Sequence, residues 1–171
     1  MKLSFDVDDG AGSTAALGLI VLQSDESMEA ELRSVFDQPG IALYHSRIPS
    51  APEVTAETLK QMELDLPLAA SLLPTARSLD VVGYGCTSGA TVIGADNVAA
   101  AINASHDGAK TTDPITAVMA ACRHLSVKRL GFVTPYVAEV SEAMRTLLEK
   151  NGLTVAAFGS FEQIEEKRRT D

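Results

Sequence analysis

The run Val81-Val82-Gly83-Tyr84-Gly85-Cys86-Thr87-Ser88-Gly89-Ala90-Thr91 places one thiol and two adjacent hydroxyls between glycines, directly after a short apolar stretch. A thiolate is both a nucleophile and a proton acceptor, so a cysteine at a strand end is positioned for covalent or acid–base chemistry. An unperturbed thiol, with a pKa of about 8.5, is mostly protonated at neutral pH, and donors around the sulfur must favour its charged form. Gly85, Thr87, Ser88 and Gly89 can supply them, because glycine lets a ligand approach backbone N–H groups and a hydroxyl donates to an anion. The same donors suit a substrate carboxylate or the oxyanion that develops on it. The competing assignment is a small buried cysteine packing behind a strand. The glycines and hydroxyls favour chemistry, and Cys86 is the expected catalytic residue.

Cys122 lies in Ala120-Ala121-Cys122-Arg123-His124, which has helical spacing and no glycine turn, and reads as a helix-packing thiol. Two cysteines in 171 residues do not make a disulfide framework. His45, His106 and His124 are far apart, and none forms a ligand-spaced pair with a cysteine or carboxylate, so no metal is expected. With 46% hydrophobic and 22% charged residues the chain has a globular balance. A net charge of −9 argues against nucleic-acid binding, which needs a basic face. An anionic substrate must then be captured by local hydrogen-bond donors. No window approaches the apolar run of a transmembrane helix, and Asp6, Asp8 and Asp9 stand where a signal peptide needs apolar residues. The expectation is a cytoplasmic protein with no membrane partner.

Secondary structure must bring the reactive residues together. Residues 16–22 suit a strand buried on both faces, after which Ser24 or Asp25 offers an N-cap for a helix turning Met28, Leu32, Val35 and Phe36 inward. A second strand is expected over 41–44, a helix over 58–76 and a third strand over 79–83. Beyond the cysteine turn, 97–103 is helical by its alanines, and Pro114 opens a helix running to about His124. A strand over 130–133, a helix over 137–150 stopped by Asn151-Gly152, and a strand over 153–158 complete the pattern. This alternation predicts an α/β fold with doubly wound parallel sheets, whose ligands bind beyond the carboxyl ends of strands. The loop after residue 22, the Cys86 turn and Thr134-Pro135-Tyr136 all lie at such ends. Tyr136 precedes a helix N-terminus and is the second choice of functional residue, against a tyrosine packing at a domain edge. No GxGxxG or Walker loop is present, which argues against a nucleotide-dependent enzyme.

Leu22-Gln23-Ser24-Asp25-Glu26-Ser27-Met28-Glu29, the stretch from Gly83 to Gly89 and Val133-Thr134-Pro135-Tyr136 resemble segments of the Asp/Glu racemase superfamily. The similarity is to its branch of maleate cis-trans isomerases and arylmalonate decarboxylases, and includes Ser46-Arg47-Ile48-Pro49 and Thr112-Asp113-Pro114. It runs from about Ala16 to Glu166. The resemblance implies two similar flavodoxin-like half-domains, here 1–112 and 113–171, with the site in the crevice between them. It implies a cofactor-independent isomerase, racemase or decarboxylase of a small carboxylic acid. Cys86 would be the catalytic thiolate, and Ser24, Asp25, Gly85, Thr87, Ser88, Pro135 and Tyr136 would contact substrate, with the Tyr136 hydroxyl on a carboxylate.

In the resembling family two cysteines face opposite sides of the substrate. One removes an α-proton and the other returns it in a racemase, whereas a maleate isomerase adds a thiolate to the double bond. Here the second cysteine turn is absent, since the sequence ends at Glu165-Glu166-Lys167-Arg168-Arg169-Thr170-Asp171. The second half-domain therefore reads as partial, and the alternative function is a catalytically silent module that binds a small carboxylate. Asp25 stands where maleate isomerases present an asparagine, and its charge would repel a dianion. A homo-oligomer is expected, because a partial half-domain leaves sheet edge and apolar helix faces to be covered.

Overall fold

Alternating strands and helices build two parallel sheets, one of four strands and one of two. The computed structural model describes residues 1–8 and 10–163; the expectations attached to Asp9 and to 164–171 lie outside them. In chain order the elements are β1 (Ala15–Leu22), α1 (Met28–Phe36), β2 (Ile41–Ile48), α2 (Ala56–Ser71), β3 (Val81–Tyr84) and α3 (Thr87–Ile93). There follow α4 (Ala95–Asn103), β4 (Lys110–Thr112), α5 (Pro114–His124), β5 (Arg129–Tyr136), α6 (Ala138–Lys150) and β6 (Thr154–Gln163). The first sheet has the order β2-β1-β3-β4, and β5 pairs with β6.

The most apolar strand, β1, occupies the interior of the four-stranded sheet, where both its edges are paired. Ala16, Ile20, Val82 and Tyr84 share one buried face with Leu59, Met62 and Leu66 of α2, Ile93 of α3, and Val98 and Ile102 of α4. Each large aliphatic side chain buried there contributes roughly 1.5–3 kcal/mol. Residues 1–163 contain no helix long and apolar enough to cross a membrane among those described.

Several elements differ from expectation for identifiable reasons. The run after Cys86 is not an open turn: it continues as α3, with Cys86 itself at the N-cap. Helix α2 starts earlier, at Ala56, where Thr55 and Thr58 form a reciprocal capping box, and it ends at Ser71 ahead of Pro74. No residue of α1 is fully buried, and Val35 is 59% exposed, because α1 packs mainly over the edge strand β2. Lys110–Thr112, where no strand is expected, forms β4 by pairing alongside β3. Strands β2, β5 and β6 run on to Ile48, Tyr136 and Gln163. The β5–β6 register shifts between Thr134 and Tyr136, around Pro135, which has no N–H to donate to a ladder.

Candidate active site

The carboxyl ends of β1, β3 and β5 open on one cavity of about 460 Å³. Leu22 closes it from β1, Cys86 and its neighbours from β3 and α3, Pro135 and Tyr136 from β5, and Gln163 from β6. Ser50, Ala51, Glu53 and Val54 of the β2–α2 connection and Leu59 and Met62 of α2 form a largely apolar opposite wall. Both sheets therefore contribute to the cavity.

The position of the sulfur follows from the backbone. Gly85 prolongs strand pairing by donating its N–H to Ile20 O at 2.7 Å, and a Cβ there would stand 2.5 Å from Met28 Sδ. Cys86 is extended, with φ −134° and ψ 109°, which turns Sγ over the first turn of α3. Its sulfur accepts the Gly89 N–H at 3.2 Å and lies 3.7 Å from Ser88 Oγ. Donors on a sulfur favour the thiolate over the thiol. Gly89 is required by close approach: a Cβ would meet Tyr84 Oη at 2.5 Å and Cys86 Sγ at 2.9 Å. The Tyr84 hydroxyl also reaches Met62 Sδ at 3.6 Å. Burial first, then the charge and hydrogen bond of Cys86, push the Tyr84 pKa above the ordinary phenol range, so this hydroxyl stays a donor.

Of the residues expected to contact substrate, Gly85, Thr87, Ser88, Pro135 and Tyr136 stand with Cys86 on the cavity wall. Tyr136 is fixed through its backbone: its N–H donates to Thr134 Oγ1 at 3.1 Å, and its carbonyl accepts from Ser141 Oγ at 3.0 Å and from Ser160 Oγ. Ser24 and Asp25 are not among the lining residues. Ser24 Oγ lies 3.2 Å from Ser50 Oγ, so it supports a wall residue from outside. Asp25 Oδ1 accepts the N–H groups of Ser27 and Met28 at 3.0 and 2.8 Å, an Asx-type turn that opens α1. Arg47 braces the same loop, donating to the carbonyls of Leu22, Gln23 and Asp25 and pairing with Glu29 at 2.7 Å.

This geometry gives Asp25 a measurable role. Asp25→Ala is expected to lower stability by about 1 kcal/mol, by loss of the side-chain acceptor at the helix start. Asp25→Asn keeps an acceptor oxygen, and thermal unfolding should place it close to wild type. Calorimetric titration with malonate should give the same affinity for Asp25→Asn and wild type, because the carboxylate is engaged by the backbone outside the cavity lining.

Sequence reasoning missed Tyr84, Met62, Ser50, Glu53 and Gln163. Tyr84 carried a signal, since strand alternation puts it on the same side as Cys86. Cys122 is half-buried on α5, packed beside the core and off the cavity. His106 is buried with Nε2 2.8 Å from Ala70 O, a structural contact. Among the described residues no group of three histidine, cysteine or acidic side chains is placed to hold a metal ion. A second concavity, about 470 Å³, lies over the other face of the four-stranded sheet between α1 and α5 and is lined mainly by aliphatic residues such as Leu17, Leu19 and Leu32. Its Asp113 is committed to capping α5 through Thr116 N at 2.9 Å.

Solved structures share this architecture. The maleate isomerase Iso from Pseudomonas putida S16 superposes with a TM-score of 0.75 at 22% identity, covering 88% of this chain and 65% of that one. A mutant of Nocardia farcinica maleate cis-trans isomerase, with a covalently bound succinylcysteine intermediate, matches with the same TM-score of 0.75, 22% identity and coverage of 88% and 65%. Unliganded arylmalonate decarboxylase matches with a TM-score of 0.63 at 22% identity, covering 88% of this chain and 63% of its own. The chain thus spans 65% of the length of the first two enzymes. No protein-family model matches the chain, and no curated protein matches it by sequence. What the superpositions establish is an α/β fold shared with these maleate isomerases and with arylmalonate decarboxylase.

Proposed function

We propose that this chain carries the Cys86 half of a cofactor-independent isomerase, racemase or decarboxylase that acts on a small carboxylic acid. The observation that carries this reading is the Gly89 N–H directed at the Cys86 sulfur, at 3.2 Å, on the wall of a cavity that also holds Thr87, Ser88 and Tyr136. With an unsaturated acid, Sγ attacks one alkene carbon, forming a C–S bond as the π bond breaks. The electron pair moves onto the adjacent carboxylate, where backbone and hydroxyl donors stabilise the negative charge. Rotation about the resulting single bond, followed by return of the electron pair and cleavage of C–S, releases the other geometric isomer and restores the thiolate. With a saturated acid the same thiolate removes an α-proton, and the enediolate is held by the same donors. The succinylcysteine seen in the Nocardia enzyme supports the addition course.

A second reading is a carboxylate-binding module without turnover. It is favoured by the cavity wall itself, which among the described residues holds one thiol, while Cys122 lies elsewhere. We also propose self-association, supported by Leu64 and Leu68 of α2 and Leu72 at its C-cap, which follow one another at four-residue spacing and are 74%, 68% and 67% exposed.

Incubation with maleate, followed by product analysis and peptide mass mapping, separates the readings. Fumarate formation or a succinyl adduct on Cys86 is expected for the catalytic reading. Calorimetric binding of maleate or malonate with neither product nor adduct supports the silent module. Absence of binding as well contradicts both.

A further inference from the structure

Two sulfur atoms lie near the Tyr84 hydroxyl. Tyr84 is 1% exposed, Met62 4% and Cys86 4%, so all three meet away from bulk water. Met62 Sδ is 3.6 Å from the hydroxyl. Cys86 Sγ borders the space that Gly89 leaves by having no side chain: a Cβ there would stand 2.5 Å from Tyr84 Oη and 2.9 Å from Cys86 Sγ. A phenol has one proton and donates to one of these acceptors at a time. A thioether is a weak acceptor, whereas a thiolate gives a charge-assisted bond roughly twice as strong as a neutral one.

We propose that Tyr84 is a positioning residue for Cys86, which turns its O–H from Met62 Sδ to Cys86 Sγ when the thiol loses its proton and so holds the sulfur as an oriented thiolate. The inference rests on the reactive role proposed for Cys86. The thiol proton leaves to water or to the medium's base, and Tyr84 keeps its own proton throughout, because burial and the adjacent sulfur disfavour a phenolate. Few other groups compete. The buried residues that α2, α3, α4, α5 and α6 turn inward carry no charge, and Glu53 and Tyr136 are the remaining titratable groups on the cavity wall.

The test is the rate of iodoacetamide alkylation at Cys86 as a function of pH, in wild type, Tyr84→Phe and Met62→Leu, with circular dichroism to establish folding. Tyr84→Phe should raise the midpoint of the profile and slow alkylation at neutral pH about tenfold, with the alkaline plateau retained, since a hydrogen bond to a charged group is worth about one pKa unit or more. Met62→Leu removes the acceptor that competes for the hydroxyl, and should lower the midpoint and speed neutral-pH alkylation by about two- to threefold. A merely structural Tyr84 would lower the unfolding temperature without moving the midpoint. A Tyr84→Phe midpoint equal to that of wild type would overturn the inference while leaving a reactive Cys86 intact. Should Tyr84→Phe fail to fold, an unchanged midpoint in Met62→Leu overturns it. A wild-type Cys86 that does not react at neutral pH removes the proposed function, a distinguishable result.

Discussion

Replacing Cys86 by alanine is expected to abolish adduct formation with maleate and to slow any turnover by on the order of 10²–10⁴-fold, the usual contribution of a positioned acid–base group. Binding of a carboxylate should weaken much less, because the N–H groups and hydroxyls around the cavity remain. Alanine also leaves the buried Gly89 N–H without the sulfur it now meets at 3.2 Å. An unsatisfied buried donor costs about 1–3 kcal/mol, so thermal unfolding should show a loss of that size. Serine restores an acceptor at the N-cap of α3, and Cys86→Ser should recover most of the stability without recovering the chemistry. A serine variant as active as wild type would refute the thiolate role.

Gly89→Ala is expected to have the second-largest effect, and the effect should be local to the site. The added Cβ would stand 2.5 Å from Tyr84 Oη and 2.9 Å from Cys86 Sγ, and neither atom can move freely within its buried surroundings. Overpacking of this kind costs roughly 1–3 kcal/mol. Relief of the clash must displace either the phenol or the thiol, so alkylation of Cys86 at neutral pH should fall together with stability. Gly131→Ala serves as the control, since a Cβ on Gly131 meets nothing within 4 Å. Thermal unfolding and alkylation rates of the two variants decide the matter: equal behaviour would show that Gly89 is not under the steric constraint described.

The elements legible in the sequence are those whose signals are local. The β1 run declares itself by unbroken apolar character, and Asp113-Pro114 declares the start of α5 by pairing a capping carboxylate with a proline that needs no N–H partner. Helix α3 hid behind its own chemistry: glycine disfavours helix, and nothing local reveals that Gly89 is needed there because Tyr84 and Cys86 crowd its Cβ position. The three residues of β4 carry no strand signature of their own and are held by pairing with β3. The site divides in the same way. Cys86, Thr87 and Ser88 were visible because one turn carries them, and Tyr136 because a strand end and a helix start bracket it. Ser50, Glu53 and Gln163 reach the cavity only through the packing of segments remote in sequence, which leaves no local trace. Asp25 shows the limit of a motif: the sequence offered its carboxylate both as a cap for α1 and as a substrate contact, and only the fold shows it accepting the Ser27 and Met28 N–H groups outside the cavity lining.

Competitive labelling of the two cysteines decides whether Cys86 is a reactive thiol. Cys86 is 4% exposed, whereas Cys122 is half-buried and more accessible, so accessibility alone favours reaction at Cys122. A thiolate stabilised by the Gly89 N–H and the neighbouring hydroxyls reverses that order. With limiting iodoacetamide at neutral pH, peptide mass mapping of the native protein should find the carbamidomethyl group on Cys86 before Cys122. Prior labelling of Cys122, with Cys86 modified only after unfolding, would contradict a reactive thiol at this site.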